Sequence, residues 1–297
     1  MSAVAVGSSL GLEDNVAYRA PAGRFGTVLY QVLVGVSIIV FVGIVICAIF
    51  APWVAPHNPY TDHLLDPYAR PSRTYVFGTD SAGRDILSRL IFGARLTLLG
   101  PSIVVGVALF CGVPFGMLAA YRGGIVDGII SRAFDLVFAF PSLLLAIVVV
   151  ATFGASFITA VVAVAVTYIP LMGRLVRASA LVERGKPYVD WCRLQGYTTW
   201  RVLWVHVMPN IAREIISQTT LYFGYSLLDL SALSFIGLGA QPPQIDWGGM
   251  LEDAYQGVFQ SPTGVIFPAL SIVLLVVSVN LIGDWLLERR RPGASRL

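Results

Sequence analysis

The sequence predicts an all-α polytopic membrane protein with six transmembrane helices and one long cytoplasmic connection. Three observations predict it. Of 297 residues, 56% are hydrophobic and 12% are charged, and the mean hydropathy is +0.76. A soluble domain carries roughly 25% charged residues, so this chain could not cover a soluble surface. Six stretches supply the ~20 mostly apolar residues that a spanning helix needs. The basic residues between those stretches fall mainly on one side.

A tail, 1–26, precedes span 1 at 27–51. That run is too long for a signal-peptide core and lacks a convincing cleavage site after it, so it reads as a retained helix. Segment 52–94 follows on the extracytoplasmic side. It is rich in proline and aromatics and is expected to run as extended chain and turns. Span 2 lies near 95–120, span 3 near 130–153, span 4 near 157–178, span 5 near 211–236 and span 6 near 265–287. Residues 95–288 thus form the main transmembrane domain, and 289–297 a second tail. Gly106, Gly112 and Gly116 suit close helix packing. Pro101, Pro114, Pro141, Pro170 and Pro268 are expected to kink their helices.

Charge sets the orientation. Arg19 and Arg24 precede span 1, Arg122 and Arg132 flank loop 2–3, and the region 174–213 carries Arg174, Arg177, Arg184, Lys186, Arg193, Arg201 and Arg213. The last tail adds Arg289, Arg290, Arg291 and Arg296. With six spans all of these share one side, which places both termini in the cytoplasm. Loops 3–4 and 5–6 carry no basic residue, and loop 5–6 holds Asp246, Glu252 and Asp253. Segment 52–92 mixes Arg70, Arg73, Arg84 and Arg89 with Asp62, Asp66, Asp80 and Asp85.

Several chemistries are excluded. Lys186 is the only lysine and Pro187 follows it, so the Gly-Lys-Ser/Thr of a P-loop is missing and the chain is not itself an ATPase. His57, His63 and His206 do not form H-E-x-x-H, and no paired aspartates appear, so neither a catalytic residue nor a metal site is expected. Cys47, Cys111 and Cys192 make no disulfide framework. A net charge of +3 gives no sign of a nucleic-acid partner.

Segment 179–210 is unlike the loop of a simple channel. It looks like two short helices around Gly196, the second stopped by Pro209. Tyr188, Val189, Trp191, Cys192 and Leu194 interleave with Asp190, Arg193 and Gln195. Such aromatics need a cover: either the lipid interface or a groove on a soluble subunit. Trp, Tyr and Arg are the residues that interfaces favour.

Tyr188-Val189-Asp190-x-x-Arg193-x-x-Gly196, followed by His206-Val207-Met208-Pro209-Asn210, resembles the EAA loop of ABC importer permeases. The ending is similar to the dipeptide/oligopeptide/nickel branch. More of that branch's C-type pattern is present in order: Gly78-Thr79-Asp80-x-x-Gly83-Arg84-Asp85, Gly93-Ala94-Arg95, Tyr121-Arg122-Gly123-Gly124-x-x-Asp127, Phe140-Pro141, Leu233-Ser234-Phe235-Ile236-Gly237-Leu238-Gly239, Trp247-Gly248 and Asn280-x-x-Gly283-Asp284. The resemblance covers about 78–288. The Glu-Ala-Ala triplet reads Asp190-Trp191-Cys192 here, a bulkier surface than usual.

The resemblance implies a type I ABC importer permease of a bacterial or archaeal cytoplasmic membrane, forming half of a translocation pathway. It implies as partners a homologous B-type permease, two ATP-binding subunits that hold the ATP and magnesium, and an extracytoplasmic binding protein. No cofactor is expected in this chain. Tyr188, Val189, Asp190, Trp191, Arg193, Gly196, His206 and Pro209 would then couple to the ATPases. Di- or oligopeptides are the default cargo; nickel chelates, haem, glutathione and opine-like compounds are alternatives within the class.

Charges inside spans are expensive and therefore suspect. Asp229 either faces the pathway, where it would attract a peptide amino group, or caps or pairs with an arginine of the partner permease; Tyr222 and Tyr225 on the same span either line the pathway or pack. Asp190 and Arg193 either pair with each other or with the partner. Asp80, Arg84, Asp85, Asp246 and Trp247 are the candidates for contact with the binding protein. A stand-alone secondary transporter is the reading from another class; it predicts inverted repeats, which the sequence does not display, and purification without partners.

Overall fold

The computed structural model describes residues 24–63 and 66–289. The tail arginines Arg19, Arg290, Arg291 and Arg296 lie outside the described residues. Helix α1, Arg24–Ile49, leaves Val32, Val36 and Ile39 exposed along its length. With the backbone groups of its middle turns bonded inside the helix, and the Ala48 and Ile49 carbonyls taken by Arg95, such a surface suits lipid. A single turn, α2 (Ala51–Val54), carries Pro52 near its start, where no N–H is needed.

The next helix, α3, runs from Ile86 to Arg122 and begins nine residues before the expected span. Asp85 explains this. Its side chain accepts from the Ser88 amide at 3.1 Å and the Ser88 hydroxyl at 2.6 Å, an N-cap that starts the helix there. The helix thus takes in residues 86–94, which the sequence pattern assigns to the preceding segment. It is made of turns held by side chains: the Thr79 hydroxyl accepts from the Ala69 amide at 2.7 Å and donates to the Asp66 carbonyl at 2.6 Å.

A π-helical turn, Ala108–Gly112, interrupts α3 before its last third. Beyond it the helix lies directly on α6 (Phe157–Arg184). A Cβ on Gly116 would stand 2.4 Å from the Gly173 carbonyl oxygen, and one on Gly112 would stand 2.8 Å from that of Ile169. Only glycine allows that approach. Ser156 caps α6 by accepting from the Thr159 amide. Ala163, Met172 and Val176 on α6 are fully buried, and this helix is the centre of the larger core.

The expected third span is two helices, α4 (Gly124–Phe138) and α5 (Ser142–Phe153), bent by 81°. Pro141 has no N–H to give and drives Phe140 out of the helical region, so the break falls between them. The amphipathic α4 keeps Asp127, Arg132 and Asp135 beside the basic end of the bundle, the end that carries 179–210. Its polar groups reach α6: Asp127 holds Arg177 through two hydrogen bonds of 2.5 and 2.6 Å, and Asp135 pairs with Arg174.

After α6 come α7 (Pro187–Leu194) and α8 (Met208–Phe235). The expected stop at Pro209 does not occur. Thr199–Arg201 leads through a π-helical segment, Val202–Val207, straight into α8. Pro209 sits in the first turn after the change of register, where its missing donor costs nothing. A short helix α9 (Trp247–Tyr255) and the long α10 (Thr263–Arg289) complete the bundle.

Among the described residues, four helices are long and apolar enough to cross a membrane, and the bent α4–α5 pair makes a fifth. The expected fifth span, 211–236, corresponds to α8. Its 28 residues give sufficient length, but Arg213, Glu214, Asp229 and the run Ser217–Thr220 lower its apolarity. It packs between α6 and α10 and buries Ile211, Ile215, Leu227, Leu230 and Leu233. A helix sheltered by neighbours tolerates polar residues that one facing lipid does not.

Candidate functional site

At the basic end, α7 is anchored on one side and bare on the other. Val189 is fully buried, against the larger core. Glu183, at the end of α6 and only 6% exposed, collects three donors. Its Oε1 accepts from the Tyr188 hydroxyl at 2.8 Å and from Asn210 Nδ2 at 2.9 Å. Its Oε2 meets Lys186 Nζ at 2.5 Å. Asn210 Nδ2 also lies 3.1 Å from the Tyr188 hydroxyl. Burial first, and then the Glu183 carboxylate, push the Tyr188 hydroxyl up to about 12, so it remains a donor at any physiological pH.

The bare side carries Trp191, Leu194 and Trp200, which are 66%, 82% and 57% exposed. Trp200 and Trp204 lie with nearly parallel rings 6.4 Å apart. A soluble chain rarely leaves this much apolar surface open without a partner. Gly196 ends α7 at φ +77°, and the Gly196 and Tyr197 amides bond back to the Arg193 and Cys192 carbonyls at 2.9 and 3.1 Å. That is a left-handed helix end, for which glycine is the preferred residue. Asp190 and Arg193 are 3.5 Å apart and largely exposed, a pair that contributes little to stability. His206 stacks on Tyr197 at 5.8 Å, with Arg201 4.7 Å from the same tyrosine ring. Pro209 belongs to α8 instead of to a separate second helix.

The interior candidates also meet. The Tyr168 hydroxyl of α6 donates to Asp229 Oδ2 at 2.9 Å, and the Tyr168 and Tyr222 rings stand edge to face at 5.7 Å. Tyr225, one turn before Asp229, is 55% exposed. Sequence reasoning missed Tyr168, Glu183 and the role of Asn210. Nothing in the local pattern marks Tyr168, which is 61 residues from its partner.

At the opposite, acidic end the candidates do not form a contact surface. Asp80, Asp85, Asp246 and Trp247 are all buried. Asp80 Oδ1 accepts the Ala82 and Arg84 amides, both at 2.9 Å, while its Oδ2 binds Arg84 Nε at 2.8 Å and also pairs with Arg89. Arg89 continues to Asp253 at 2.7 Å, linking the start of α3 to α9. Asp85 caps α3 and meets His57 Nδ1 at 3.3 Å. Trp247 gives its indole N–H to the Leu90 carbonyl at 2.9 Å and its amide to the Thr97 hydroxyl at 3.1 Å. Asp246 caps α9, and burial, the largest influence on it, pushes its carboxyl above the usual range. These side chains build the end of the bundle. Of the five, Arg84 alone is partly open. Arg84 and Asp246 line a cavity of about 680 Å³ together with Tyr60, Asp62, Arg89 and Asp253. Glu252, Tyr255 and Phe259 supply the exposed surface beside it.

Comparison with known proteins agrees with this architecture. Residues 112–292 match the family model described as binding-protein-dependent transport system inner membrane component. Residues 33–71 match the N-terminal TM domain of oligopeptide transport permease C. The chain is 41% identical over 280 residues to the di/tripeptide transport system permease protein DppC of Pseudomonas aeruginosa, covering 91% of this chain and 88% of that one. It is 43% identical over 266 residues to the dipeptide transport system permease protein DppC of Escherichia coli, covering 88% and 87%. In fold it resembles a chain of the inward-facing MetNI methionine ABC transporter, with a TM-score of 0.58 at 17% identity over 69% of this chain and 97% of that one. An all-helical bundle with a tethered α7 at its basic end, matched over most of its length by these permeases, thus belongs to the family of binding-protein-dependent transport system inner membrane components, as a C-type permease subunit of an ABC importer.

Proposed function

We propose that this chain forms one half of the translocation pathway for di- or oligopeptides in an ATP-driven importer. A homologous B-type permease supplies the other half, and two ATP-binding subunits, which hold the ATP and magnesium, dock at the basic end. An extracytoplasmic binding protein delivers the cargo to the acidic end. In this reading both termini are cytoplasmic, as the arginine distribution favours. The observation that carries it is α7: a helix fastened at Tyr188 and Val189 presents Trp191 and Leu194 to open space. Helix-in-groove recognition needs such a face. The names of the di- and tripeptide relatives support the cargo class.

The movement then has a physical route. ATP closes the ATPase dimer, the groove carries α7 with it, and the long helices on which α7 is seated swing with it. A mild-detergent pull-down of the chain from its native membrane tests the assembly. The expected outcome is a second permease, P-loop ATPases and a substrate-binding protein. A chain that emerges alone or as a homo-oligomer overturns the importer reading. Binding of the co-purified receptor to dipeptides, followed calorimetrically, tests the cargo.

A further inference from the structure

We infer that Glu183 is a positioning residue for coupling: its one buried carboxylate locks α6, α7 and α8 into a single rigid unit. The inference rests on the docking role proposed for α7 and names the part that makes that role mechanically effective.

Two rungs join α6 to α8. The Ser179 hydroxyl donates to Glu214 Oε2 at 2.5 Å, and one turn further along Asn210 Nδ2 donates to Glu183 Oε1 at 2.9 Å. The Tyr188 hydroxyl hooks α7 onto this second rung at 2.8 Å from Glu183 and 3.1 Å from Asn210. Lys186, in the linker, closes on the other carboxylate oxygen. One carboxylate can accept all of these donors because its two oxygens offer about four lone-pair directions.

The location matters. α7 follows α6 through Gly185–Lys186 and leads on through Gln195–Thr198, while Tyr188 and Cys192 pack beside Val189 on the core and Arg193 lies over the Tyr121 ring at 5.8 Å. Val189 is its buried apolar anchor, and an apolar contact has no fixed direction. Hydrogen bonds do. Without Glu183, α7 would pivot about Val189 under load, and the displacement of its exposed end at Leu194 would not reach α6 or α8. With it, a push on α7 acts on two long helices at once. Tyr188 remains protonated, so the hook does not open with physiological changes of pH.

The test uses the whole complex in proteoliposomes, with ATPases retained, and compares Glu183→Ala, Glu183→Gln and Tyr188→Phe. The first readout is labelled alanyl-phenylalanine transported per ATP hydrolysed. The second is amide exchange over residues 187–196 with and without a non-hydrolysable ATP analogue. Glu183→Ala is expected to lower transport per ATP by about tenfold, the middle of the range for a coupling between sites. Glu183→Gln keeps an oxygen for Tyr188 and Asn210 and is expected to stay within about threefold of the native complex. Amide exchange in α7 should rise in Glu183→Ala and Tyr188→Phe while the ATPases stay bound.

Native transport per ATP in both of those variants overturns the clamp. So does a Gln variant as defective as the Ala variant with its ATPases in place. If Glu183→Ala does not assemble, Tyr188→Phe, which removes one hydroxyl, decides alone. Absence of ATPases from the native complex overturns the docking reading, and the clamp's role in coupling falls with it. If ATPases are present but the dipeptide is not carried, the cargo is wrong, and the exchange measurement still decides the clamp.

Discussion

The Tyr168 hydroxyl reaches Asp229 Oδ2 at 2.9 Å and joins α6 to α8 in the interior of the bundle. An acidic group among apolar helices needs such a donor. The Tyr222 ring packs edge to face on Tyr168 and closes the group from one side. Asp229 therefore has a built environment, and its two readings make different predictions.

Asp229→Asn preserves an acceptor for Tyr168 and removes the charge. If the charge serves the cargo, uptake should fall about tenfold, the size of one hydrogen bond to a charged group, while the assembled amount stays within about twofold. Tyr168→Phe should lower stability by about 1 kcal/mol and leave the charge in place. Quantified uptake against immunodetected complex separates the cases. A proportional fall of both in Asp229→Asn makes the residue structural.

Gly196 has no atom within 4 Å of where a Cβ would stand, so its requirement is conformational and not steric. Its φ of +77° costs a β-branched residue about 1–2 kcal/mol. Gly196→Val should abolish substrate-stimulated ATPase while membrane insertion stays intact, and Gly196→Asn, which tolerates this region better, should retain part of it. Normal stimulation in Gly196→Val would remove the left-handed turn from the coupling route.

Much of this was legible in the residues. Apolar runs gave the long helices, and the arginines marked one end of the bundle. The order from Gly78 to Asp284 pointed to the family. What was not legible has physical causes. Asp85 caps α3, but the cap is read only once Ser88 is known to turn back on it. Pro141 was visible, yet a bend of 81° depends on where α5 then packs. Pro209 signals a stop in sequence, and the π-helical segment before it cancels the signal. Asp80, Asp246 and Trp247 looked like surface because loops are usually surface. Asp80 is held by Arg89, and Trp247 by Thr97 and Leu90, all on α3, the last two 150 and 157 residues from Trp247.

The contact of α3 with α6 predicts a contrast between two glycines of one helix. Gly116→Ala places its Cβ 2.4 Å from the Gly173 carbonyl oxygen, and both helices must part. Overpacking of this kind costs about 1–3 kcal/mol. Gly106 faces open space, so Gly106→Ala should be neutral or slightly stabilising. Thermal unfolding of the purified complex, read by a fluorescence assay, checks the pair. Equal melting temperatures for the two variants would mean that the close approach is not what holds α3 on α6.

Asp246 ties the stability of α9 to pH. Its side chain caps α9 by accepting the Gly248 and Gly249 amides at 3.2 and 3.3 Å. Burial, the largest influence, raises its carboxyl; Ser234 and the two amides oppose the rise, and the neighbouring Asp253 adds to it. A carboxyl raised in the folded state binds its proton more tightly there than in the unfolded chain. It contributes stability that is fully present below the unfolded value, near 4, and is lost as pH rises through the folded value. An ionised Asp246 is thus a cost that the cap offsets. Asn caps a helix about as well as Asp and carries no charge. Asp246→Asn should therefore melt at or above the native temperature at pH 8, with a smaller advantage at pH 5. Melting curves of the complex at the two values test this. A variant less stable at both, by the same margin, would mean that the ionised carboxylate itself holds α9 in place.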